Sequence, residues 1–192
     1  MLRRLYDWTL DQAERPYALW VLAVIAFVES SFFPIPPDIL LIPMVLAALN
    51  RAWLIAAICT FASVLGGGFG YLIGAQLFDL IGQPILDFYG KDDKFDAFAE
   101  QFNQQGHWAV LIAGMTPFPY KVITIASGVT GLPFGQFMLW SVVARGARFF
   151  VVAALLWFFG APIKAFIEKY LGLLFTIFCL LLVGGFFLLR FL

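Results

Sequence analysis

Two proline-centred breaks, 83 residues apart, interrupt an otherwise apolar chain. Pro34-Ile35-Pro36-Pro37-Asp38 separates one pair of hydrophobic runs, and Pro117-Phe118-Pro119-Tyr120-Lys121 separates another. Both read P-x-P-x-charge, with the charge reversed. Proline lacks an N–H and stops a helix. At membrane depth, irregular backbone survives only where protein or water satisfies it. Pro34, Pro36, Pro37, Pro117 and Pro119 are therefore read as helix breaks inside a bilayer. Matching breaks in the two halves of an apolar chain point to a transporter built from repeats.

The bilayer setting follows from composition. Of 192 residues, 62% are hydrophobic and only 12% charged, against about 25% charged in a soluble domain. The expectation is one integral membrane domain over residues 1–192, since no polar stretch is long enough for a second folded unit. Net charge is zero, so no basic face suggests nucleic acid. Cys59 and Cys179 lie in separate apolar runs, which argues against a disulfide framework or a metal cluster. No metal and no cofactor is expected. Asp7, Asp11 and Glu14 argue against an N-terminal signal peptide.

Segment lengths set the topology, because a full crossing needs about 20 apolar residues. Residues 1–16, with Arg3, Arg4 and Arg15 among Leu2, Leu5 and Trp8, read as an interfacial helix. Tyr17–Phe33 and Ile39–Leu49 flank the first break, and the second arm is too short to cross. Residues 17–49 are thus expected as a re-entrant hairpin, followed by a spanning helix over Trp53–Phe78; together they form a first repeat, 17–81. Gly66, Gly70 and Gly74 share one face of that span and predict close helix packing. Residues 82–106 read as an amphipathic connector, with Phe95, Phe98 and Phe102 on one side. Trp108–Met115 and Val122–Thr130 flank the second break, and Phe134–Phe159 spans; together they form a second repeat, 107–159. A short loop over Pro162–Lys169 and a third span over 170–190 complete the chain.

A hairpin returns to its starting side and a span changes sides, so the two repeats enter from opposite faces. The fold class is an all-α polytopic membrane protein: two re-entrant helical hairpins in an inverted-topology repeat, three spanning helices and interfacial amphipathic helices. Six Lys and Arg on the N-terminal side (Arg3, Arg4, Arg15, Arg51, Lys164, Lys169) face three on the other (Lys91, Lys94, Arg190). That bias predicts a cytoplasmic N-terminus.

Five ionisable residues fall within the apolar segments: Glu29, Asp38, Lys121, Arg145 and Arg148. Each costs at least about 2.5 kcal/mol if left alone at the bilayer centre. They therefore need partners or water. Arg145 and Arg148, three apart, share a helix face. If the two breaks meet, Glu29 and Asp38 can pair with this basic trio, leaving one positive charge for an anionic headgroup such as a phosphate. The half-helix N-termini after the breaks add positive dipole ends. A Glu29 balanced between burial and nearby Arg is a candidate proton carrier. His107 reads as a boundary residue. There is no G-x-S-x-G, no H-E-x-x-H and only one histidine. The principal alternatives are an intramembrane enzyme acting on a lipid phosphate through Glu29 and Asp38, and a structural membrane-integrity protein with no transported substrate.

Three stretches resemble the signatures of the DedA family, also called the VTT or SNARE-associated domain. They are Phe27–Asp38, Leu65–Gly74 and Thr116–Lys121 continuing to Ala126-Ser127-Gly128. The resemblance covers roughly residues 20–160. It implies a bacterial inner-membrane protein with two re-entrant hairpins that flips an anionic lipid, such as undecaprenyl phosphate or a phospholipid, with proton-gradient dependence. Eukaryotic relatives are lipid scramblases. It further implies that Glu29 and Asp38 match the family's functional acidic pair, and that Lys121 stands where the second Arg of an R-F-x-P-x-x-R motif usually lies. The first Arg of that motif falls at Met115 here, which marks the chain as similar to a divergent small subgroup. No enzymatic activity is expected, and a homo-oligomer is compatible with the sequence.

Overall fold

A computed structural model describes residues 17–33, 36–82, 84, 92–116 and 119–188, with their side chains described up to Gly160, save at 81–82 and 92–94, and at Pro162. The expected interfacial helix over 1–16 and the breaks' Pro34 and Pro117 lie outside the described residues, as do the side chains of Lys91, Lys94, Lys164, Lys169, Cys179 and Arg190. All regular structure among the described residues is helical.

Helix α1 (Ala18–Ser31) and helix α2 (Asp38–Ala47) flank the first break. They have 14 and 10 residues, or about 21 and 15 Å, short of the roughly 30 Å of a hydrocarbon core. α1 ends where the Ser31 hydroxyl donates back to the Phe27 carbonyl at 2.7 Å. Pro37 caps the start of α2, and its carbonyl accepts from the N–H groups of Leu40 and Leu41. Asp38 sits in the first turn of α2, where a carboxylate meets the positive end of the helix dipole.

A 3-10 turn (Leu49–Arg51) leads into helix α3 (Ala52–Leu77), which widens into a π turn at Phe78–Gly82. Helix α4 (Asp92–Met115) approaches the second break, and helix α5 (Tyr120–Val129) leaves it behind Pro119. A turn through Gly131, whose φ of 67° lies in the left-handed region, starts helix α6 (Phe134–Leu188). Among the described residues two segments are long and apolar enough to cross a membrane, Leu49–Leu80 and Phe134–Gly160.

Two sequence expectations require correction. The described stretch 92–106 of the amphipathic connector and the first arm of the second hairpin are one helix, α4, with no boundary at 106/107. Only Gly106 stands between them, and a helical Gly costs about 1 kcal/mol relative to Ala. Its missing side chain admits Leu132, whose Cδ1 would lie 2.5 Å from an added Cβ. The loop expected over Pro162–Lys169 is helical too. α6 runs through Pro162 without a break, so the segment from 170 onward continues α6 instead of forming a separate element. Pro162 removes one backbone donor, and the strong helix formers around it (Ala161, Lys164, Ala165, Glu168) carry the helix across.

The α3 helix is the hub. Gly66 faces the backbone of Phe27 in α1, Gly74 faces that of Ile125 in α5, and Gly70 lies between Thr124 of α5 and the Ser30 and Ser31 carbonyls of α1. A Cβ at Gly66 or Gly74 would overlap a carbonyl oxygen. Both short arms thus land on one glycine stripe, at a backbone separation that only glycine permits. One apolar cluster joins α1, α2, α3 and α6 through Leu22, Leu41, Val45, Ile55, Cys59 and Phe149. A second joins α4, α5 and α6 through Val110, Tyr120 and Phe137. Large apolar side chains face outward, among them Trp20, Phe61 and Phe158, a surface that suits lipid and not water.

Candidate functional site

The α6 helix presents Ser141, Arg145, Arg148 and Phe149 at helical spacing toward the elements beside both breaks. Arg145 is 1% exposed. It donates through Nη2 to Glu29 Oε2 of α1 at 2.8 Å and through Nε to Ser63 Oγ of α3 at 2.5 Å. Ser30 Oγ donates to the same Glu29 oxygen at 3.0 Å and shares a hydrogen bond with Ser63 Oγ at 2.7 Å. The guanidinium also lies against two rings, 4.8 Å from the centroid of Tyr120 and 4.7 Å from that of Phe149. Removing such a charge from water costs several kcal/mol, recovered only with a close counter-ion and satisfied donors. Glu29, Ser30 and Ser63 supply them.

Arg148 is built differently. Its Nη2 donates to Asp38 Oδ2 at 2.6 Å, and its Nη1 donates to the Thr116 carbonyl at 2.8 Å. Asp38 opens α2 directly after the first break, and Thr116 follows α4 directly before the second. One guanidinium therefore ties the two breaks together. Arg148 is 20% exposed and Asp38 21%.

Lys121 occupies the first turn of α5 and is half-buried. The charge of Glu29 acts on it electrostatically. Among the described residues, the ion pairs are Arg145–Glu29 and Arg148–Asp38. With both carboxylates paired to arginines, the ammonium of Lys121 is the remaining positive charge of the group.

The site holds hydroxyls as well as charges. Tyr120 is fully buried and donates to Ser141 Oγ at 2.5 Å. Thr124 Oγ1 donates to the Ser30 carbonyl at 3.2 Å, joining α5 to α1. Ser31 Oγ donates to the Gly66 carbonyl at 3.0 Å. Reading the sequence for ionisable residues alone missed Ser30, Ser63, Thr124 and Ser141. Their signal was present: single small hydroxyl residues inside apolar helices, the type that bridges helices in membranes. Ser127 Oγ is the buried side-chain oxygen among the described residues with no hydrogen-bond partner. His107 lies in α4 with its ring 5.3 Å from that of Trp108 and 5.8 Å from that of Trp140. Among the described residues no group of His, Cys, Asp and Glu could hold a metal ion.

Fold and site together define a helical membrane protein in which one long helix holds the first interrupted segment by two ion pairs and the second by a hydrogen bond to the Thr116 carbonyl. A family model for the VTT domain matches residues 35–158. The chain belongs to that family, the DedA family. Similar sequences include a protein described as uncharacterized from Haemophilus influenzae, 36% identical over 165 residues covering 86% of this chain and 85% of its own. Another, from Histophilus somni, is 35% identical and covers 79% and 78%. A protein from Methanocaldococcus jannaschii is 27% identical, covering 70% of this chain and 81% of its own. No solved structure matches.

Proposed function

We propose that this protein moves an anionic, phosphate-bearing lipid between the leaflets of the bacterial inner membrane. The observation that carries the reading is the charge balance: three cations and two carboxylates gathered at the two helix breaks, with Lys121 left over. A lone cation at membrane depth is unfavourable unless an anion visits it, and a phosphate headgroup is an anion that a bilayer supplies. The lipid tails stay in the hydrocarbon while the headgroup passes the polar group of residues, so a small chain can serve a large substrate. Membership of the VTT family supports this class of function. The two interrupted segments act as re-entrant hairpins inserted from opposite faces, with the N-terminus in the cytoplasm. Undecaprenyl phosphate and phospholipids are the substrate candidates, and a proton gradient acting through Glu29 is the candidate energy source.

The test is a reconstituted one. Protein in liposomes carrying fluorescent lipids of different headgroups is expected to flip phosphate-bearing lipids faster than neutral ones. Glu29→Ala, Asp38→Ala and Lys121→Ala are expected to abolish the difference. Equal flipping by all four proteins would overturn the proposal. Turnover of a lipid phosphate by the purified protein would replace it with an intramembrane enzyme.

A further inference from the structure

The two ion pairs differ in a way that assigns them different roles. Arg145 is enclosed: its Nε and Nη2 hold Ser63 and Glu29, two aromatic rings lie against it, and 1% of it is exposed. An incoming anion has no open approach to it. Arg148 has one carboxylate partner, one carbonyl partner and a fifth of its surface open. Its partner Asp38 is equally open. Neighbouring Phe32 and Phe33, on the α1 side of the break, are exposed too.

We infer that Arg148 is a latch, which exchanges Asp38 for the phosphate monoester of an incoming lipid while Arg145 stays on Glu29. This rests on the anionic-lipid reading and names the group that receives the headgroup. A guanidinium binds carboxylate and phosphate with the same planar fork, so the exchange replaces like with like. Arg148 spans both breaks, so its release from Asp38 frees the first break from the second. The Arg145–Glu29 brace keeps α1 fixed on α6 meanwhile. The exchange thus couples headgroup arrival to separation of the two breaks without unfolding the hub at the glycine stripe.

The experiment titrates dodecyl phosphate into the full-length protein in neutral maltoside micelles, read by calorimetry. Asp38→Asn removes the competing carboxylate and is expected to tighten binding about tenfold, in keeping with the coupling of close charge pairs. Glu100→Gln, on the exposed surface of α4, changes net charge by the same amount and is expected to give no gain. If Asp38→Asn does not fold, Asp38→Asn with Arg148→Gln removes both charges together and strands neither. It is expected to fold and to lose binding, whereas binding at the wild-type level would overturn the latch. Binding by wild type with equal gains in Asp38→Asn and Glu100→Gln would overturn the latch and leave the lipid reading standing. No binding by any of these proteins would overturn both. Inorganic phosphate competing at equal concentration would keep the assignment to Arg148 and make a soluble phosphate the visitor.

Discussion

Arg145 and Glu29, 116 positions apart in sequence, meet at 2.8 Å across the join between α6 and α1. The contact decides how the first interrupted segment sits. α1 is too short to be held by spanning the membrane. It is held by its glycine contact with α3 and by this ion pair. A buried pair is mutually dependent: removing one partner strands the other charge, whereas removing both leaves a polar gap of lesser cost.

Arg145→Met and Glu29→Gln are each expected to destabilise the protein by about 3–5 kcal/mol, the range for breaking a buried pair. The double variant is expected to lose less than the sum of the two. Thermal unfolding in detergent, arranged as a double-mutant cycle, checks this. Additive losses would mean the pair carries no coupling.

The glycine stripe gives a second expectation. Gly66→Ala and Gly74→Ala each place a methyl group on a backbone carbonyl of a neighbouring helix. Each is expected to cost about 1–3 kcal/mol, as overpacking does. Gly135→Ala, with nothing within 4 Å of the added Cβ, is expected to be neutral or slightly stabilising. Melting temperatures of the three variants rank the effect.

Ser127 offers a change of opposite sign. Its hydroxyl is buried without a partner among the described residues, and such a group carries a desolvation cost of about 1–3 kcal/mol. Ser127→Ala is expected to raise the melting temperature. A fall would mean that the hydroxyl is satisfied in the membrane by water.

Lys121 separates function from structure. It forms no ion pair with a described residue, so Lys121→Met removes an unpaired charge and is expected to leave the melting temperature unchanged or raised. Flipping of a phosphate-bearing lipid by the same variant is expected to fall at least about tenfold, a loss of one charge contact at roughly 1.4 kcal/mol or more. Lys121→Arg is expected to retain activity. A large fall in stability with Lys121→Met would make this residue part of the scaffold.

The sequence by itself determined the apolar, helical character of the chain, the places where helices must break and the residues that cannot sit alone in lipid. Pro37 and Pro119 fix helix starts through a local steric rule, and Glu29, Asp38, Arg145 and Arg148 announce themselves by cost in any apolar run. Other helix ends were not legible: α4 passes Gly106 and α6 passes Pro162, so one unfavourable residue, even a proline, does not end a helix that continues on both sides of it. Partner choice was also beyond local reading. Nothing in the spacing of Arg145 and Arg148 says that one turns to Glu29 between two aromatic rings while the other reaches Asp38 and the Thr116 carbonyl. Three helix residues of separation rotate the two side chains by about 60°, and only the packing of α1, α3 and the two breaks around α6 decides what each then meets.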